Sequence, residues 1–169
     1  MEKALIIGCP GAGKSRFARA LHQVSGLPLY HLDLIWHLPD RTHLPRQAFD
    51  EKLGEILQEK QWIIDGNYLR TLERRLAACD TVFLLDFPVE LCLAGAASRI
   101  GKKREDLPWV ETEFDEEFRR WILDFGQDQM PQIHRLLERY RAGRRIVVFR
   151  TREQTEDFLK SFPEEGGKN

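Results

Sequence analysis

The chain has 169 residues, enough for one domain with a real core. Apolar residues make up 42% and charged residues 31%, the balance of a water-soluble globular domain, and no run of 18 apolar residues offers a transmembrane helix. The formal net charge of −1 argues against a broad nucleic-acid footprint, although a local basic patch stays open.

Three cysteines, Cys9, Cys79 and Cys92, make neither a metal-binding spacing nor an even disulfide set. A reduced, cytoplasmic setting is expected. The first strand begins at Lys3, so no secretory leader is expected.

In chain order, Lys3-Ala4-Leu5-Ile6-Ile7 is a short apolar run of the kind found in central parallel strands. Gly8-Cys9-Pro10-Gly11-Ala12-Gly13-Lys14-Ser15 follows and fits G-x-x-x-x-G-K-[ST], a phosphate-binding loop or P-loop. Gly8, Cys9, Pro10, Gly11, Ala12 and Gly13 would curl around an anion with their N–H groups turned inward, helped by the positive end of the next helix. Lys14 would reach the β- and γ-phosphates of ATP, and the Ser15 hydroxyl would ligate Mg²⁺. Cys9 sits where a thiol could be reactive, and the favoured reading is a tolerated small residue in the loop. Phe17, Ala18, Leu21 and Val24 recur at helical spacing until Gly26 and Pro28.

A second strand is expected at Pro28-Leu29-Tyr30-His31-Leu32, ending at Asp33, and then a polar and aromatic segment from Ile35 to Arg41. A helix is expected from about Pro45 to Glu59, followed by a third strand, Trp62-Ile63-Ile64, ending at Asp65-Gly66-Asn67-Tyr68. A shorter helix carries Leu69, Leu72 and Leu76. The fourth strand, Thr81-Val82-Phe83-Leu84-Leu85, ends at Asp86-Phe87-Pro88, and Pro88 opens a helix reaching about Ile100.

From Arg99 to Glu113 the chain is charged, contains Gly101 and Pro108, and loses any clean period, as a mobile flap does. Two further helices are expected, one presenting Phe114, Phe118, Trp121, Ile122 and Phe125, the other Ile133, Leu136, Leu137 and Tyr140 up to Gly143. Arg145-Ile146-Val147-Val148-Phe149 is the fifth strand. Thr151 with Gln154 makes a capping-box start for the last helix, and residues 163–169 read as a frayed tail. Regular alternation of strands and helices means α/β with a parallel sheet, in one domain spanning residues 1–169.

Three successive strands end in aspartate: Asp33, Asp65 and Asp86. In open parallel sheets ligands bind at the carboxyl ends of strands, where the P-loop also leaves the sheet. Asp33 and Asp86, with Ser15, are candidate metal ligands, directly or through water. Asp33 can instead act as a base toward an acceptor hydroxyl. An aspartate after a strand can also be a plain turn former or helix cap.

Trp36, Asp65, Gly66, Asn67 and Tyr68 are candidate acceptor-binding residues, with His31 and His37 nearby. The flap holds Arg99, Lys102, Lys103 and Arg104, and Arg119 and Arg120 follow in the next helix. Arg99, Arg104 and Arg119 are candidates to close over a transferring phosphoryl group. Arg150 and Arg152, after the fifth strand, are expected to border the adenine by fold analogy alone. No N-K-x-D and no Asp-Glu strand end is present, which lowers the expectation of a GTPase or a mechanical ATPase.

At these residues the chain resembles the adenylate kinase and shikimate kinase branch of P-loop proteins. Ile64-Asp65-Gly66 is similar to the Asp-Gly turn of adenylate kinases, although Asn67-Tyr68 replaces their Phe-Pro and Arg70 falls one place late. Arg99-Ile100 with Lys103 is similar to their lid hinge, with lysine in the last place. A resemblance covering nearly the whole chain is to the adenylate-kinase-like bacterial proteins labelled DNA topology modulation proteins. It rests on Tyr30-His31-Leu32-Asp33 with Trp36, Trp62 to Tyr68, Leu85-Asp86-Phe87-Pro88, and Phe118 with Trp121. Met130 before Pro131 departs from the basic residue common there.

The resemblance implies ATP binding and a three-layer P-loop fold with strand order 2-3-1-4-5 and a basic, helical lid over about 99–120. The expected activity is transfer of the ATP γ-phosphoryl to a small acceptor, a nucleotide, a nucleoside or a hydroxylated metabolite, with Mg²⁺, by a monomer or homodimer. The alternatives are an ATP-binding regulator linked to DNA topology, and an ATPase whose acceptor is water.

Overall fold

The computed structural model describes residues 1–166. Five strands, β1 (Lys3–Gly8), β2 (Leu29–His31), β3 (Trp62–Asp65), β4 (Thr81–Leu85) and β5 (Arg145–Phe149), form one parallel sheet in the order β2-β3-β1-β4-β5. This is the expected α/β P-loop arrangement. β1, β3 and β4 are inner strands, so their apolar runs are buried on both faces. β5 lies at an edge and is partly exposed.

Among the described residues eight helices connect and cover the strands: α1 (Lys14–Ser25), α2 (Leu32–Trp36), α3 (Arg46–Gln58), α4 (Leu69–Ala78), α5 (Val89–Ala97), α6 (Glu116–Asp128), α7 (Met130–Arg139) and α8 (Arg152–Gly166). α1 packs on α8 over one face, and α4 bridges α3 and α7. Phe17 of α1, Phe83 of β4, Phe149 of β5 and Phe158 of α8 meet ring to ring at 5.1–6.2 Å, joining sheet and helices in one aromatic cluster. The N-terminus of α6 is capped by Asp115, whose side chain accepts the Glu117 N–H at 3.0 Å. At α8, the Thr151 hydroxyl accepts the Gln154 N–H, and the Gln154 side chain accepts the Arg150 N–H at 2.6 Å, one residue before the Thr151 N–H that the expected capping box would use.

Two segments differ from expectation. The second strand stops at His31, and Leu32 to Trp36 turn into the one-turn helix α2, because Leu32 is buried while the Asp33 carbonyl accepts the His37 N–H. Asp33 therefore stands in the first turn of a helix. The helix after β4 ends at Ala97, short of Ile100. The flap from 99 to 115 has no helix or strand, and α7 ends at Arg139. α8 runs through Gly166, and residues 167–169 of the expected tail lie outside the described residues. No described helix is long and apolar enough to cross a membrane.

Candidate active site

Strand register decides what meets at the carboxyl edge of the sheet. Asp65 at the end of β3 pairs with Ile6 of β1 and with His31 of β2, and Gly8 pairs with Leu85 of β4. The P-loop thus springs from the middle of the sheet with Asp65 beside it. Gly11 has φ +84°, and a Cβ there would run into the Cys92 carbonyl of α5. Glycine at this point lets loop and helix touch backbone to backbone. Lys14 lies against the loop it follows, its Nζ donating to the Cys9 carbonyl at 3.1 Å. Burial lowers the Lys14 pKa, opposed by the nearby Asp65 and Asp33 carboxylates.

The turn after β3 is tied to the P-loop. The Gly8 N–H donates to Asn67 Oδ1 at 2.9 Å, and Asn67 Nδ2 donates to the Gly8 carbonyl at 2.6 Å. Asn67 is a two-way bridge between the expected acceptor turn and the first residue of the phosphate loop. Arg75, fully buried on α4, fastens the same turn from beneath. Its Nη1 donates to the Gly66 carbonyl at 2.7 Å, and its Nη2 to the carbonyls of Asn67 and Tyr68. Burial lowers the Arg75 pKa, while Cys79, Tyr68 and Asp65 favour its charged form. Sequence reading passed over Arg75. The available signal was a guanidinium three residues after Leu72 and next to Leu76, on the buried stripe of α4.

The aspartates separate into two roles. Asp33 accepts from the Tyr68 hydroxyl at 2.7 Å and faces the cavity. Burial raises its carboxyl pKa, with a smaller push from Asp65, against the Tyr68 bond, Lys14 and His37. Asp65 is 4% exposed; its Oδ2 is bonded to His31 Nδ1 at 2.8 Å, and its Oδ1 has no partner among the described residues. Asp86 does not line the cavity. It pairs with Arg150 at 3.0 Å, and Arg150 does not line it either, so the expected metal role of Asp86 and adenine role of Arg150 find no support in this arrangement. Arg152 does line the cavity.

The cavity measures about 1190 Å³ and runs from the P-loop to the flap. Arg99 and Lys103 line it, and Arg99 Nε has no partner among the described residues. Arg104 lines it too, but its guanidinium is committed, with Nε and Nη2 on Asp106 at 3.1 and 2.5 Å and Nη1 on Glu111 at 2.8 Å. It ties residues 104, 106 and 111 of this segment together, which leaves its guanidinium engaged rather than free for the expected closure over phosphate. Arg119 pairs with Glu116 at 3.3 Å outside the cavity. Asp106 was not singled out in the aperiodic flap, yet it is 3% exposed. Burial opposes its ionisation, but the paired Arg104 and the Ser15 hydroxyl hold its carboxyl well below the usual range. Glu105 reaches Arg19 of α1 at 3.5 Å, so the segment from 99 to 115 touches the helix that follows the P-loop. The Cys9 thiol is buried, and its pKa is pushed up by the neighbouring Cys92 and by burial, which fits a small packing residue rather than a reactive one.

The residues fit a Mg·nucleotide. Mg²⁺ is held in proteins by one or two carboxylates together with substrate phosphates and water. The buried Asp65 Oδ1, without a partner among the described residues, acts on Lys14 from close by, and Ser15 lines the same cavity with its hydroxyl on Asp106, so these oxygens could complete such a site around a bound nucleotide. Among the described residues no three His, Cys, Asp or Glu side chains form a self-sufficient metal cluster.

No protein-family model matches the chain, and no curated protein matches it. The resemblance to DNA topology modulation proteins therefore gains nothing beyond its motifs. Solved structures do match. Shikimate kinase from Acinetobacter baumannii, in complex with shikimate, is similar at TM-score 0.58 and 16% identity, over 100% of this chain and 97% of that one. Shikimate kinase from Bacteroides thetaiotaomicron is similar at TM-score 0.59 and 16% identity, over 96% of each chain. At this identity the likeness shows the fold alone, the α/β P-loop fold of those two structures.

Proposed function

We propose that the chain is an ATP-dependent phosphotransferase that moves the γ-phosphoryl group to the hydroxyl of a small acceptor. The observation that carries the reading is the juxtaposition of Lys14 and Ser15 with the recessed Asp33 and Asp65 carboxylates, in one cavity under a lid holding Arg99 and Lys103. A water-hydrolysing enzyme has no need of such a lid, whereas a kinase must keep water from the phosphoryl group.

The P-loop N–H groups and Lys14 hold the phosphates of ATP. Ser15 and Asp65 Oδ1 would hold Mg²⁺, which when bound neutralises charge on the β- and γ-phosphate oxygens. Asp33, steadied by Tyr68, orients the acceptor hydroxyl and takes its proton. The acceptor oxygen bonds to the γ-phosphorus, the bond to the β–γ bridging oxygen breaks, and its electron pair leaves with ADP. Arg99 and Lys103 face the charge spread over the transferring group. Asn67 and Arg75 keep the acceptor turn in register with the P-loop.

The test is ADP release from Mg·ATP against a panel of nucleosides, nucleoside monophosphates and small hydroxylated acids, including shikimate. Release should depend on one acceptor class, vanish in Asp33→Asn, and lose ATP binding altogether in Lys14→Ala. Unchanged ATP affinity in Lys14→Ala would overturn the reading.

A further inference from the structure

Resting on that reading, we infer that the acceptor is a neutral alcohol carried on a planar ring, a nucleoside being the class that fits. The walls above Asp33 are rings. Trp36 follows it by three residues on α2, and its indole meets Tyr68 at 6.2 Å and Phe49 at 5.5 Å, both edge to face. His43 stacks on Trp36 at 4.3 Å and 7°, so this ring is held in one orientation. From the lid, Trp109 meets His37 edge-on at 5.0 Å, closing the acceptor side with another aromatic surface. Trp36, His37, Tyr68 and Trp109 all line the cavity. Rings fixed this way bind a flat ligand through faces and edges at little cost in side-chain entropy.

On α4, beside the acceptor turn, a carboxylate acceptor finds no free guanidinium. Guanidinium groups bind carboxylates best, and the three of α4 next to the acceptor turn are all committed elsewhere. Arg70 forks onto Asp50 at 2.7 and 2.9 Å, Arg74 donates to the Asp50 carbonyl at 3.0 Å, and Arg75 holds the turn. A phosphate monoester is disfavoured for another reason. Asp33 and Asp65 lie near enough for each other's charge to be felt, and a dianionic acceptor brought onto Asp33 would meet that negative field. A base poised on the acceptor side suits a hydroxyl, which must lose a proton, and is superfluous for a phosphate oxygen already ionised. Arg41, exposed at the rim, is a cation that could serve a phosphate or a carboxylate if one were bound.

The experiment has a binding arm and a turnover arm. With the protein saturated by a non-hydrolysable ATP analogue and Mg²⁺, calorimetry compares purine and pyrimidine nucleosides, their 5′-monophosphates and alicyclic hydroxy acids. A nucleoside should bind. Trp109→Leu should weaken it about tenfold, Trp109→Phe should restore most of the loss, and ATP affinity should stay unchanged in both. In turnover the same substitution should raise the acceptor KM with kcat held within about twofold, and Arg41→Ala should change neither. Phosphorylation of an alicyclic acid, or preference for a monophosphate that Arg41→Ala abolishes, would leave the kinase reading standing and overturn this inference. Nucleoside binding without transfer would overturn the kinase reading and leave the ring site standing. No nucleoside binding at millimolar concentration overturns the inference outright.

Discussion

Replacing Asn67 with alanine removes both ends of the bridge to Gly8. Gly8 is buried, and its N–H and carbonyl each use the Asn67 amide, at 2.9 and 2.6 Å. A buried donor or acceptor left without a partner costs about 1–3 kcal/mol, so two such groups cost about 2–6 kcal/mol. Asn67 borders the cavity, and water can enter part of the vacated space, which places the expected loss near the lower end, at about 3 kcal/mol. For a chain of this length that is a fall of roughly 6–12 °C in Tm. Because the freed group is the first residue of the phosphate loop, Mg·ATP affinity should fall as well, by about tenfold if about 1.4 kcal/mol of loop order must be restored on binding. Asn67→Asp is the partner variant: it keeps an acceptor for the Gly8 N–H but sets a carboxylate oxygen against the Gly8 carbonyl, so it should be at least as damaging at neutral pH and recover when acidified. Thermal unfolding followed by circular dichroism and calorimetric ATP titration measure both effects. An Asn67→Ala protein within about 0.5 kcal/mol of the parent, with unchanged ATP affinity, would refute the idea that the acceptor turn holds the P-loop.

Other substitutions probe the remaining contacts. The Asp33 carboxyl is raised above its ordinary 3.8 in the folded state, mainly by burial, so its favourable contribution is complete below that value and is lost as pH rises through the folded one. Asp33→Asn should therefore raise Tm at about pH 7, leave it little changed at about pH 3, and abolish transfer; a lower Tm at neutral pH would contradict the burial argument. The pH dependence of transfer in the parent should likewise show an acid limb above the usual carboxylate range. Arg75→Met strips the donors from three successive carbonyls and should cost about 3 kcal/mol in urea unfolding, the loss being softened by the burial penalty of the charge itself; a neutral result would show that the turn holds itself. Asp106 has a lowered carboxyl pKa, so its contribution is present above 3.8 and is lost as pH falls through the folded value. Asp106→Asn should speed amide exchange over residues 99–113 about tenfold at neutral pH, and unchanged exchange would show that Asp106 does not support this segment.

How much of this was readable in the chain follows from the range of each interaction. Gly8 to Ser15 identify themselves because a phosphate cradle needs glycines, a lysine and a hydroxyl at fixed local spacing, and the strands show as apolar runs bounded by Gly, Pro and Asp. The strand order came from resemblance, and the register of β1, β3 and β4 confirmed it. Asp33, Asp65 and Asp86 looked equivalent in sequence because each follows an apolar run. Tertiary structure told them apart: Tyr68 and the cavity claim Asp33, His31 claims one oxygen of Asp65, and Arg150 claims Asp86.

The flap shows the same limit. Its arginines read alike by composition, yet Arg104 is bound to Asp106 and Glu111 while Arg99 keeps an unpartnered nitrogen beside the cavity. Asn67 and Gly8 are 59 residues apart, and nothing local to either predicts their bond. The sequence by itself determined that this chain would build a P-loop on a parallel sheet, because backbone conformation and side-chain period are local properties. Only the tertiary structure decided which charges were left free to act, because a charge is committed by whichever partner the folded chain brings within hydrogen-bonding distance.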